Sequence, residues 1–405
     1  MLTRTVSLYQ NAYSGLSRST WLLSIVMLVN RSGTMVIPFM TIYLTQPSMG
    51  YSIGQAGIVM GIFGLGAICG GWLGGRLTDK IGFHRVQLVT LSGGGLLFIV
   101  LGQMKSYPLI CGCTFLLSLV NDAFRPANST AIATYSKEEN RTRSYSLNRL
   151  AINLGWALGG AIGGVLASIN YHLLFWVDGG TNLAAALLLR YFLTPAVAPA
   201  ARPTGKADQA TALSPYRDKL YLLFIGCTIL FATCFFQVFT LLPLFYKRAL
   251  HLPEYMIGLL MTVNGLLIAC FEMVLVFKME GRRENLYYIF YGTCLVGLSY
   301  FLLDIFPLSV YTAYFCMFLV TGGEILAMPF MNSFWISRTT ASNRGQYAGL
   351  YTIAWSVAQV IGPAGGAQVA AHFGFFTLWW VAGGICVLAA IGFRRLRHIK
   401  PALHE

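Results

Sequence analysis

Six ionisable side chains fall inside long apolar runs: Arg31, Asp122, Arg125, Asp178, Glu272 and Glu324. A charge in hydrocarbon costs about 2.5–3.5 kcal/mol even on the most lenient scales, so each of these needs a partner or a function. A carboxyl in low dielectric is favoured in its neutral form. One that takes up and returns a proton there is a proton carrier. Glu324, in Gly322-Gly323-Glu324, and with it Asp122 and Glu272, are the candidate proton-coupling residues. Asp122 and Arg125 are three apart, so they share a helix face and can pair. A purely structural ion pair of Asp122 or Glu324 with Arg125 or Arg31 is the competing expectation. Arg31 could instead hold an anionic substrate group. Asp178, two residues after Trp176, reads as a structural cap near the outer surface.

A second set of residues mixes polar and aromatic groups. Gln237 lies among Phe235, Phe236 and Phe239. Asn332 stands close to Phe334 and Trp335. Tyr347 and Tyr351 share a helix face, as do Trp355 and Gln359. Such surfaces suit amphipathic organic molecules. Arg31, Arg125, Gln237, Asn332, Trp335, Tyr351 and Trp355 are therefore the candidate substrate-binding residues, with plain helix packing the alternative for each. Enzyme chemistry finds no support. His84, His172, His251, His372, His398 and His404 sit at loops and ends, and neither His-x-x-x-His nor Gly-x-Ser-x-Gly occurs. The nine cysteines have no metal-ligand spacing and read as small buried hydrophobes. No metal or cofactor is expected.

What positions these residues follows from composition. The 405 residues are 56% hydrophobic and 10% charged, with a mean hydropathy of +0.64. A soluble domain carries roughly a quarter charged residues to cover its surface. Soluble enzymes, disordered chains and coiled coils are thereby excluded, and continuous apolar runs exclude a β-barrel. An all-α polytopic membrane protein remains. Twelve runs lie near 20–44, 53–75, 86–104, 108–135, 145–168, 172–193, 220–246, 255–278, 286–304, 308–336, 346–371 and 375–394. At about 20 residues per crossing, each is long enough to span a bilayer. The polar stretch 194–219 reads as a flexible linker between halves 1–193 and 220–405.

The net charge of +14 does not mark a nucleic-acid binder, because the cations lie in small groups between apolar runs. Of the 28 Lys and Arg, all but Lys105, Lys247, Arg248, Arg31 and Arg125 fall on one side of the spans. The positive-inside rule then places both termini in the cytoplasm. The polar first 18 residues, followed by a long apolar run, argue against a cleavable signal peptide.

The halves repeat. An offset of 202 places Asp122 on Glu324, Tyr145 on Tyr347 and Gly160 on Gly362; an offset of 201 places Met60 on Met261 and Gly64 on Gly265. Duplicated six-helix halves are an architecture of secondary transporters, with substrate bound between repeats near the midplane.

Gly75-Arg-Leu-Thr-Asp79-Lys80-Ile-Gly82-Phe-His-Arg85, between spans two and three, resembles the G-x-L-x-D-[RK]-x-G-[RK]-[RK] signature of the major facilitator superfamily, with His84 in place of a basic residue. The resemblance implies a gating latch built on Gly75, Asp79, Gly82 and Arg85. Gly155-Trp-Ala-Leu-Gly159-Gly160-Ala-Ile-Gly163-Gly164 resembles the antiporter motif G-x-x-x-G-P-x-x-G-G, with Gly160 where proline is usual. Gly362-Pro363-Ala-Gly365-Gly366 in span eleven is closer to its core. Small residues four apart let helix backbones touch, so packing alone also accounts for both. Arg125 resembles the arginine that antiporters of this superfamily carry in span four.

These readings converge on twelve helices in two pseudo-symmetric six-helix bundles. The protein is expected to be a monomer in a bacterial cytoplasmic membrane, taking protons and a small molecule as partners. The leading expectation is proton-coupled efflux of amphipathic organic molecules. The alternative is a proton symporter importing a peptide or organic acid. Residues 323–329 resemble span ten of proton-dependent oligopeptide transporters, whereas Asn30-Arg31 in span one lacks that family's paired glutamates. A non-transporting receptor would not need two matched charged centres.

Overall fold

A computed structural model describes residues 15–136, 141–193, 195, 214–279, 281–339 and 344–398. Most of the expected linker 194–219 lies outside these residues, as do Arg4, Lys137, Arg202, Lys206 and Lys400 among the cations used for orientation. The described residues are helical, with no strand among them.

Among the described residues, eleven helical stretches are long and apolar enough to cross a membrane, and the last is long enough to cross twice. In chain order the elements are α1 (Arg18–Ser32), α2 (Val36–Leu44), α3 (Ile53–Ile81), α4 (Phe83–Leu101), α5 (Tyr107–Tyr135), α6 (Arg141–Ile169) and α7 (His172–Phe192). The second half supplies α8 (Lys219–Phe235), α9 (Gln237–Arg248), α10 (Glu254–Met279), α11 (Asn285–Ile305), α12 (Val310–Ser337) and α13 (Arg344–His398). Inside α13 the chain turns sharply at Gly374, where φ is 86°. That left-handed conformation favours glycine. It divides the helix between the eleventh and twelfth expected spans.

Spans one and seven are each built from two helical pieces. Span one is interrupted between Ser32 and Val36, and span seven at Phe236. The cause in span one is tertiary: Asp178 of α7 caps the second piece, as described below. Spans two and three also meet more tightly than expected, with only Gly82 (φ 83°) between α3 and α4.

The chain divides into two compact units, Met1–Val36, Leu65–Ala200 and Glu254–Leu266, and Ile37–Gly64, Ala201–Pro253 and Leu267–Glu405. Segment 254–266 thus packs with the first unit and 37–64 with the second. Glycines make both arrangements possible. In the first unit, a Cβ at Gly164 would lie 2.7 Å from the Glu254 carbonyl oxygen and 2.9 Å from the Gly258 Cα, so α6 and α10 touch backbone to backbone. In the second, Gly61 and Gly64 of α3 meet Ala364, Gln359 and Val360 of α13. Lipid offers no hydrophobic gain between helices, so such close van der Waals contact is what holds them. Larger side chains fill the interior elsewhere, with Leu23, Phe83, Phe124 and Leu189 in the first unit and Tyr221, Phe231, Tyr300 and Trp379 in the second.

Candidate functional site

In the first unit the expected charges come together. Arg125 Nε lies 2.6 Å from Asp122 Oδ1, and Ser118 Oγ donates to Asp122 Oδ2 at 3.3 Å. Asp122 is buried while the Arg125 side chain remains 62% exposed, so the carboxylate is shielded and the guanidinium is open. Arg31 lies close enough to feel the charges of both. It is held there by α6: a Cβ at Gly155 would sit 2.5 Å from Arg31 Cβ, and one at Gly159 would sit 3.1 Å from the Ser32 carbonyl oxygen. A three-charge group of Arg31, Asp122 and Arg125 thus occupies the interior of spans one and four. A carboxylate paired with one guanidinium and near a second can exchange partners or leave a cation free for an anionic group.

Around it runs a polar network that the sequence did not single out. Asn30 Nδ2 donates to Asn182 Oδ1 at 2.9 Å, and Asn182 Nδ2 donates to the Asp178 carbonyl at 2.8 Å. Gln87 Nε2 donates to Asn128 Oδ1 at 3.3 Å. The signal was present as isolated amide residues within apolar runs. Asp178 is fully buried. Its carboxylate accepts from the backbone N–H groups of Met35, at 3.0 and 3.1 Å, and of Val36, at 2.8 Å. These are unsatisfied donors at the start of α2, and a carboxylate also suits the positive end of the helix dipole. The cap expected from the sequence is real, and it serves a helix 140-odd positions away in the chain, between Met35 and Asp178.

In the second unit the polar-aromatic residues form a continuous surface. Trp335 Nε1 donates to Asn332 Oδ1 at 3.2 Å. The Trp335 and Tyr351 rings are 6.0 Å apart, and those of Tyr351 and Trp355 are 6.3 Å apart. Phe231, Phe235 and Phe236 pack edge-on against Trp355. The Trp355 indole N–H has no hydrogen-bond partner among the described residues. Gln237 stands apart from this surface. Its Nε2 donates to the Gly362 carbonyl at 2.8 Å and it packs against Gly366, so half of its amide is committed to the joint between α9 and α13, while Oε1 is buried without a partner among the described residues. Pro363 is accommodated inside α13.

The remaining candidates are placed as follows. Glu324 is half-buried on α12, next to Gly323, whose backbone touches Gly292 of α11. Glu272 is buried on α10. In the latch stretch, Asp79 and Arg85 are exposed and Gly82 supplies the turn. Gly75 faces open space; the close approach to α5 is made by Gly66, Gly70 and Gly74. His84 is buried and its Nε2 lies 3.1 Å from the Leu193 carbonyl oxygen, which explains a non-basic residue there. Gly163 is buried on α6, as is Gly164. Cys69 and Cys270, expected as buried, are exposed. No group of three potential metal ligands occurs among the described residues.

Sequence reading also missed an anchor in the second unit. Asp218, just before α8, caps it through the Tyr221 N–H at 3.0 Å. Arg338 grips the same carboxylate in bidentate fashion at 2.7 and 2.9 Å, and the Tyr347 hydroxyl donates to it at 3.1 Å. An acidic residue directly before an apolar run was the available signal.

The profile of the Major Facilitator Superfamily matches residues 20–363. A Na(+), Li(+), K(+)/H(+) antiporter of Planococcus maritimus is 24% identical, with 92% of this chain and 93% of that protein covered. The class D tetracycline resistance protein of Salmonella ordonez is 23% identical over 76% of this chain and 77% of its own. Among solved structures, a peptide transporter POT in complex with sulfate superposes with a TM-score of 0.80 at 16% identity, covering 95% of each chain.

Proposed function

This chain belongs to the major facilitator superfamily, and on that premise we propose that it is a proton-coupled exporter of small amphipathic organic molecules working by alternating access. It is a multi-pass membrane protein that moves a small molecule and not an enzyme. The observation that carries the reading is the Asp122–Arg125 pair beside Arg31, in the interior of the spans. Protonating Asp122 would dissolve that pair and free a cation, which gives a proton a direct effect on the internal charge balance. Glu324, its partner in the repeat, and Glu272 supply further carboxyls at membrane depth. The Asn332–Trp335–Tyr351–Trp355 surface offers aromatic faces and the Asn332 amide to an organic substrate. Two relatives point the same way by name, a cation/proton antiporter and a tetracycline resistance protein.

In this reading the two halves are 1–193 and 220–405, both termini face the cytoplasm of a bacterium, and the protein works as a monomer. Gly75, Asp79, Gly82 and Arg85 form a latch that opens and closes with each cycle. One pH unit of gradient supplies about 1.4 kcal/mol, a tenfold substrate gradient per proton exchanged. A ligand or proton moves such an equilibrium only by preferring one face over the other.

The test uses purified protein in proteoliposomes carrying an imposed pH gradient and a panel of lipophilic dyes. Glu324→Gln is expected to abolish gradient-driven transport while the protein remains folded by size-exclusion chromatography. Normal gradient-driven export by that variant would refute the assignment of Glu324. Dye accumulating with the proton flow would replace export by import.

A further inference from the structure

The surface where α11 begins and α13 ends carries charges outside the candidate site. Arg283 stacks over Tyr287 with its guanidinium carbon 5.6 Å from the ring centroid, and Arg397 lies over the same ring at 5.4 Å. Arg394 lies over Phe290 at 5.9 Å. Tyr291 links the two rings, 4.7 Å from Tyr287 and 5.0 Å from Phe290. One carboxylate enters the group: Glu284 accepts from Arg397 Nε at 2.8 Å. Among the described residues no carboxylate pairs with Arg283 or Arg394.

We propose that this cluster is a binding site for an anionic phospholipid headgroup. Its position at the end of two spans puts the guanidinium groups at the level of the headgroups, where aromatic residues also prefer to lie. The exposed apolar residues that continue the same faces into the membrane, Leu298 of α11 and Leu388 and Ile391 of α13, supply a surface for the acyl chains. The rings hold the guanidinium planes in place, and a planar fork suits phosphate oxygens. The Glu284–Arg397 pair fixes the end of α13 against the start of α11 and leaves the two unpaired arginines as the open contacts. Charge complementarity thus identifies the occupant: a phosphodiester with a net negative charge, such as phosphatidylglycerol or cardiolipin.

The experiment is native mass spectrometry of the full-length protein titrated with cardiolipin, phosphatidylglycerol or phosphatidylethanolamine, with thermal unfolding in parallel. The wild type should retain the two anionic lipids in preference to the zwitterionic one and be stabilised by them. Arg283→Ala with Arg394→Ala should weaken anionic lipid binding on the order of thirtyfold, since each surface arginine contributes about 1 kcal/mol. Arg283→Lys with Arg394→Lys should keep most of the preference, which controls for folding. Lys247→Ala, at the end of α9, should leave it unchanged. The proposal is overturned if the double alanine variant binds anionic lipid as the wild type does, if Lys247→Ala has an equal effect, or if inorganic phosphate competes the lipid off at equal concentration.

Discussion

Asp178 illustrates what one carboxylate can hold in place. It satisfies two backbone N–H groups at the point where span one is cut in two. Asn at this position keeps one carbonyl acceptor and loses the charge; Ala loses both. A buried hydrogen bond to a charged group is worth about 1.5–3 kcal/mol, and an orphaned buried donor costs a similar amount. Asp178→Asn should therefore lower the thermal midpoint, and Asp178→Ala should lower it further. The exposed Asp79→Asn serves as control and should not move it. Equal midpoints for wild type and Asp178→Ala, by scanning fluorimetry in one detergent, would remove the cap from the account. The contrast between Asp178 and Asp122 also has a chemical lesson. Both are buried acids in apolar runs, yet backbone amides hold one and an exposed guanidinium pairs with the other.

Helices in this protein meet through glycine. The contact between α6 and α10 is backbone against backbone at Gly160, Gly164 and Gly258. Gly258→Leu would drive a side chain into the carbonyl of Gly160. Overpacking of a tight contact costs about 1–3 kcal/mol, and here the opposing atoms are main chain and cannot step aside. Expression should fall and the midpoint drop, while Gly226→Leu, where a Cβ meets nothing within 4 Å, should be tolerated. The apolar runs and the importance of Gly155, Gly159 and Gly164 were legible in the sequence because hydropathy and small-residue spacing are local properties. The breaks at Ser32–Val36 and Phe236 were not. Nothing near residue 33 announces that a carboxylate 140-odd positions later will terminate and restart the helix. Likewise Gly74 carries the packing that Gly75 was expected to share, since the two differ only in which face each presents.

In each unit a residue just before a helix caps it and also binds the end of a later helix. Ser17 caps α1 through the Thr20 N–H at 3.1 Å and donates to the Tyr135 carbonyl, at the end of α5, at 2.7 Å. Asp218 caps α8 and grips Arg338, at the end of α12. The topology of the two anchors is the same, and their chemistry differs. Losing a serine cap costs about 1 kcal/mol. Removing the cation from a buried pair leaves an uncompensated charge and costs about 3–5 kcal/mol; Arg338 is 24% exposed, so the lower end applies. Arg338→Ala should therefore lower the thermal midpoint more than Ser17→Ala. The reverse order would mean that the ionic anchor is no stronger than the neutral one. This difference was hidden in the sequence because Asp218 stands in a polar stretch, while its partner lies 120 residues on.

The contact of α6 with residues 254–266 has a consequence for biosynthesis. The first unit lacks one of its walls until the chain has been made well beyond residue 254. As the nascent polypeptide leaves the ribosome, the glycine-lined flank of α6 must stay against lipid or the insertion machinery until α10 is delivered to cover it. A fragment ending at residue 193 would expose that flank permanently, and two separately translated halves would each arrive incomplete and be finished only by the other.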